Sequence, residues 1–140
     1  MKFEEKSLPI KIRRLFYFLV FNFLLLILIM FTSLVENVFV GSELFLLPFV
    51  TFCVGGFLLV YWTKKFKLKG EVKKRMNIVG YSAGLIFVSV FLHNVLSAVG
   101  IYLTGDRSFE EPVFFIFATI ALPVIFVFGV AGVFILLKNN

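Results

Sequence analysis

Four apolar runs constrain this chain more than anything else in it: Leu15 to Leu34, Leu44 to Trp62, Ile78 to Leu103 and Pro112 to Leu137, each bounded by charged or turn residues. The two shorter runs hold 20 and 19 residues. At about 1.5 Å per residue a helix of that length reaches about 30 Å, the thickness of a bilayer's hydrocarbon core. The two longer runs, of 26 residues each, must tilt, kink or extend into the headgroups. A membrane β-barrel needs alternating apolar and polar positions, and Leu24-Leu25-Leu26-Ile27-Leu28-Ile29 has none. The expectation is an all-α integral membrane protein, a four-transmembrane-helix bundle over 15–34, 44–62, 78–103 and 112–137. It forms one domain, and its longest connection is a basic loop over 63–77.

Composition points the same way. Hydrophobic residues make up 61% of the chain and charged residues 16%, against about 45–50% and about 25% in soluble domains. That excludes an ordinary soluble domain, a disordered segment, and nucleic-acid binding as the main role. The one cysteine, Cys53, has no partner within the chain, which excludes a disulfide scaffold. Lys11, Arg13 and Arg14 precede the first run as they would a secretory signal. The run is longer than the about 7–15 residues of a signal core and shows no small-residue cleavage pattern, so it is expected to be a retained anchor.

Orientation follows from Lys and Arg. The N-terminal tail carries Lys2, Lys6, Lys11, Arg13 and Arg14, and the loop after the second run carries Lys64, Lys65, Lys67, Lys69, Lys73, Lys74 and Arg75. Lys138 joins them, and Arg107 alone lies opposite. The positive-inside rule then puts both termini in the cytoplasm, with the cell membrane as the expected location. The net charge of +6 is a topology signal before it is a ligand signal. The basic loop, with Phe66, Leu68 and Val72 interleaved, suits an anionic leaflet, so the lipid bilayer is an expected partner and nucleic acid is not. Tyr61 and Trp62, with Tyr17 and Tyr102, fit an interfacial aromatic belt.

On the outer side, Glu36, Glu43, Asp106, Glu110 and Glu111 form a candidate acidic cluster. It reads either as a mouth that concentrates cations or as carboxylates placed at helix starts. Ser108 followed three residues later by Glu111, then Pro112, has the spacing of a capping box.

The third run carries the polar information. At about 100° per residue, Ser82, Ser89, His93, Ser97 and Gly100 fall within roughly 80° of one another. Gly80 and Gly84 form a GxxxG pair on the opposite face, with Asn94 and Ala98 near that side. Helices in lipid associate where small residues allow close approach and polar groups find partners, so Gly80 and Gly84 are candidate packing positions. His93 and Asn94 are expected near the bilayer middle, a few residues toward the outer side of the span's centre, with Ser89, Ser97 and Asn22 as further members of an intramembrane polar site. Asn22, Thr51 and Thr119 are the expected neighbours of His93. Pro48, Gly55-Gly56 and Pro123 are expected kink points, and the phenylalanines are expected to meet lipid and fill gaps.

One histidine and one cysteine on different helices leave no set of metal, haem or redox ligands, and no cofactor is expected. The transport machinery of small multidrug exporters uses an intramembrane carboxylate, and no run here contains one. Three functions fit. The first is an accessory or scaffolding subunit that binds another membrane protein or another copy of itself. The second is a small oligomeric transporter or channel with His93 and Asn94 in its path. The third is an intramembrane enzyme with His93 as base, and it is disfavoured because no catalytic constellation surrounds that residue.

Overall fold

The computed structural model describes residues 8–36 and 42–138, with side chains described outside 33–44. Four long apolar helical segments pack side by side, each long enough to cross a membrane. They are α1 (Ile10–Glu36), α2 (Ser42–Lys65), α3 (Gly70–Thr104) and a composite fourth segment. The fourth begins as α4 (Pro112–Ile116), widens into a π-helical turn over Phe117–Ala121, and continues as α5 (Leu122–Lys138). The protein is thus a multi-pass integral membrane protein of all-α class.

Every helix exceeds its apolar run. The residues expected as a loop over 63–77 are mostly helical, and the connection shrinks to Phe66–Lys69. Lys and Arg are good helix formers with long apolar stems, so a helix can continue past the hydrocarbon with its charges in water. A left-handed residue, Lys67 at φ 51, ends α2. Leu68 N–H bonds the Thr63 carbonyl at 3.1 Å and Lys67 N–H bonds that of Lys64 at 3.0 Å, which satisfies carbonyls the helix leaves open. Across the hairpin the Thr63 hydroxyl donates to Asn77 Oδ1 at 2.6 Å, fixing the register of α2 on α3.

α3 packs on α2 along one side and on α5 along the other, and α1 closes against α2. α1 also meets α5 through ring pairs, Phe16 on Phe134 and Phe23 on Phe126. At the centre Phe23, Phe52 and Phe126 form a triangle with centroids 4.7 to 5.8 Å apart. Phe16, Phe52 and Phe126 are fully buried, so several phenylalanines build the core and do not meet lipid. Ring pairs at such separations add about 0.5–1.5 kcal/mol beyond their burial.

Glycines set the helix separations. A Cβ on Gly56 would lie 2.6 Å from the Gly84 amide nitrogen and 2.7 Å from the Gly80 carbonyl oxygen. The GxxxG pair of α3 therefore receives α2 of the same chain, and Gly56 is its counterpart. Gly55 lies against Leu19 of α1. Gly55-Gly56, expected as a kink, lies within continuous α2 and serves close approach on two sides. On the far side of α3, Gly129 of α5 meets Ile78 and Val79.

Pro48 also lies inside continuous α2. Its carbonyl accepts from Asn22 Nδ2 at 2.9 Å, and the same nitrogen donates to Thr51 Oγ1 at 3.0 Å. The π-turn is the one irregularity of the fourth segment. Leu122 N–H reaches back five residues to the Phe117 carbonyl just before Pro123, which lacks the N–H an α-helix needs and crowds the carbonyl one turn earlier. Asn22→Leu is expected to loosen α1 from α2 modestly, by about 0.6 kcal/mol and no more than about 1.7. Thermal unfolding in detergent measures this, and a shift no larger than that of a lipid-facing control would remove Asn22 as a tie.

Candidate functional site

The candidate site lies where α3 outruns its neighbour. α3 continues to Thr104 and stops at Gly105, whose φ of 72 is left-handed and whose N–H bonds the Ile101 carbonyl at 2.9 Å. The chain then folds back along α3. Asp106 Oδ1 accepts from the Ser108 amide at 2.9 Å and its hydroxyl at 2.7 Å, closing a turn. These bonds, the hydroxyl's first, hold the exposed Asp106 carboxyl below its ordinary pKa. The order they lend the turn is complete above the ordinary carboxylate range and is lost as pH falls through the lowered value. The Phe109 ring then covers Gly100, in space that any Cβ there would occupy.

Glu111 is the hub. Its backbone N–H donates to Ser97 Oγ at 2.9 Å, and its carbonyl lies 2.6 Å from His93 Nδ1. A carbonyl only accepts, so Nδ1 carries a proton in this contact. The Glu111 carboxylate turns inward and accepts from Val113 N–H at 2.7 Å and Phe114 N–H at 2.9 Å. It is thereby the N-cap of α4, with Pro112 in the first helical position. Its Oε2 also lies 3.7 Å from His93 Nδ1, and the His93 ring tilts against Phe115 at 5.4 Å. Both side chains are largely covered, His93 to 20% exposure and Glu111 to 13%.

Several expectations need correction here. The expected capping box is absent: Ser108 bonds Asp106, and Glu111 caps the helix with its own carboxylate. His93 is level with the first turn of the fourth segment and not with its middle, because depth counted along α3 alone ignores how far α3 runs past Pro112. Its expected neighbours lie elsewhere. Asn22 and Thr51 bond each other, and Thr119 returns its hydroxyl to the Phe115 carbonyl at 2.7 Å.

The polar stripe of α3 divides into parts. Ser82 bonds the carbonyls of Ile78 and Val79 on its own helix, Ser89 is buried, and His93, Ser97 and Gly100 hold the outer loop. Asn94 points the other way. It is exposed, and its bond among the described residues is Nδ2 to the Val90 carbonyl at 2.8 Å. Of the acidic cluster, Asp106 and Glu110 are exposed, Glu111 is turned inward, and the side chains of Glu36 and Glu43 lie outside the described residues. Among the described residues no three His, Cys, Asp or Glu side chains converge as metal ligands.

Neither protein-family models, nor curated proteins, nor solved structures give a match to this chain. The geometry alone carries the functional reading. Reasoning on the sequence missed Glu111 as the partner of His93. The signal was present in Gly105 as a helix stop and Glu111-Pro112 as a helix start, which together return the chain over the previous helix.

Proposed function

We propose that this chain is an accessory or scaffolding subunit that binds a transmembrane helix of another protein, or of a second copy, through the outer half of α3. Its termini are cytoplasmic and it resides in the cell membrane. Asn94 carries the reading. Asn94 lies one residue beyond His93, near the level of the fourth segment's first turn, and an amide exposed there among apolar side chains normally faces protein, where it finds a partner. Ser82, His93 and Ser97 bond within the chain from covered positions, whereas Asn94 is exposed and returns only its Nδ2 to its own helix, which leaves its amide oxygen for a neighbour from outside. Phe91 and Ala98, a turn before and after it, leave an apolar flank and a small residue for close approach.

Orientation rests on charge. The beginning of α1, the α2–α3 hairpin and the end of α5 hold the basic residues at one end of an antiparallel bundle, and that end is assigned to the cytoplasm.

The second function, a small oligomeric transporter or channel with His93 and Asn94 in its path, is opposed by two features within the chain. The His93 ring is engaged by Glu111, and three phenylalanine rings fill the centre of the bundle. Purification from native membranes in mild detergent, with mass spectrometry of what accompanies the chain, tests the proposal. A stoichiometric companion or a defined homo-oligomer is the expected result. A monomer or homo-oligomer that conducts ions or solutes in liposomes, and stops doing so as His93→Leu, would replace the proposal with the transport reading.

A further inference from the structure

A shallow groove of about 380 Å³ runs along α3 where it borders α5. Lys74 and Asn77 stand at its basic end, Ser82 lies in its floor, and Tyr81, Leu85 and Ile125 flank its apolar part. From this arrangement we infer that the groove binds one phospholipid with an anionic headgroup, from the leaflet on the basic side of the bundle.

Three observations support the assignment. The first is length. At about 1.5 Å per residue, α3 rises about 16 Å from Lys74 to Leu85, close to half of a hydrocarbon core about 30 Å thick. The groove thus runs from headgroup level to the bilayer midplane, the depth one acyl chain occupies.

The second is the polar end. Lys74 is 68% exposed and touches Glu71 only at 4.0 Å, so its ammonium is available to a phosphate. Asn77 accepts from Thr63 through Oδ1, which directs Nδ2 away from that bond and leaves it to donate to a headgroup or ester oxygen. Arg75, one position on, lies over Gly132 of α5 and does not line the groove. The third is charge. Lys64, Lys65, Lys67, Lys69 and Lys73 surround the same end of the bundle and attract anionic lipid to it. That general attraction concentrates the ligand, and the groove selects one molecule with chains attached.

Native mass spectrometry of the full chain, carried from detergent with phosphatidylglycerol or phosphatidylcholine added, tests this. The wild type is expected to retain one phosphatidylglycerol in preference to phosphatidylcholine. Lys74→Glu is expected to lower that retention by at least about fivefold, the worth of one basic residue near a membrane surface. Leu85→Trp, which fills the apolar part without changing charge, should lower it comparably. Lys67→Glu makes the same charge change outside the groove and should lower it less. Both groove positions are exposed, so neither change disturbs the core. Equal loss from Lys67→Glu and Lys74→Glu would reduce the effect to diffuse attraction and overturn the site. So would unchanged retention in Leu85→Trp, or full competition by glycerol phosphate, which has the headgroup and no chains.

Discussion

Gly56→Leu is expected to separate α2 from α3 and to remove most of the protein's thermal stability in detergent. Of the three atoms nearest a Cβ at this position, two are backbone, the Gly84 nitrogen at 2.6 Å and the Gly80 oxygen at 2.7 Å, and the third is Ala83 Cβ at 2.8 Å. Side chains can rotate away from an added methyl group, but helix backbones must move as bodies. Overpacking a core costs about 1–3 kcal/mol even where side chains yield, and here the whole α2–α3 contact shifts. In lipid that contact has no exclusion of water behind it, so close packing is most of what holds it. Gly84→Ala is the informative contrast. The three atoms nearest its Cβ all belong to the Phe57 ring, the closest at 2.8 Å, and Phe57 is exposed and free to swing toward lipid. Melting curves should place Gly56→Leu far below wild type and Gly84→Ala close to it. Equal behaviour of the two would remove Gly56 from the crossing.

Glu111→Ala is expected to release the outer loop while leaving the bundle folded. The carboxylate satisfies two open N–H groups of α4, those of Val113 and Phe114. Losing an N-cap costs about 1 kcal/mol and up to about 2, and losing a carboxylate beside a helix N-terminus adds about 0.3–1 kcal/mol. The bonds from Ser97 and His93 reach the backbone of Glu111, so they survive only while that backbone stays in place. Hydrogen exchange should therefore accelerate by about tenfold or more at Glu111, Val113 and Phe114, one factor of ten for each 1.4 kcal/mol. Amides around Gly80 and Gly56 should not change. Glu111→Gln keeps an acceptor oxygen and should show about half the effect on a free-energy scale. Acceleration spread over the whole bundle would mean that the loop is a structural keystone and not a local latch.

Much of this architecture is legible in the sequence, for reasons particular residues make clear. The apolar runs locate the helices because only helices satisfy their own backbone in lipid. They do not locate the helix ends, since Lys64, Lys65, Lys73, Lys74 and Arg75 continue helices whose apolar part has finished. Gly80 and Gly84 stand out as small residues at helical spacing. That they receive Gly56 of the same chain depends on the register of α2 on α3, which the Thr63–Asn77 bond and the short hairpin set and no single helix encodes. Asn22, the one strongly polar residue inside the first run, is expected to face protein. Its meeting with Thr51, and not with His93, again depends on which helices are neighbours. The link from His93 to Glu111 joins residues 18 apart through a turn, and helical periodicity is silent about turns.

On the proposed function, α3 turns its inner polar groups to the chain's own use and offers Asn94 to a partner. The native mass of the wild-type complex in mild detergent, beside that of Asn94→Leu, tests it most directly. Leucine is more compatible with lipid than asparagine, so the variant chain should fold and insert at least as well as wild type. A stoichiometric complex is expected for wild type, and a 16.0 kDa chain alone for Asn94→Leu. A complex that survives Asn94→Leu unchanged, or a wild type that is itself monomeric, would contradict it.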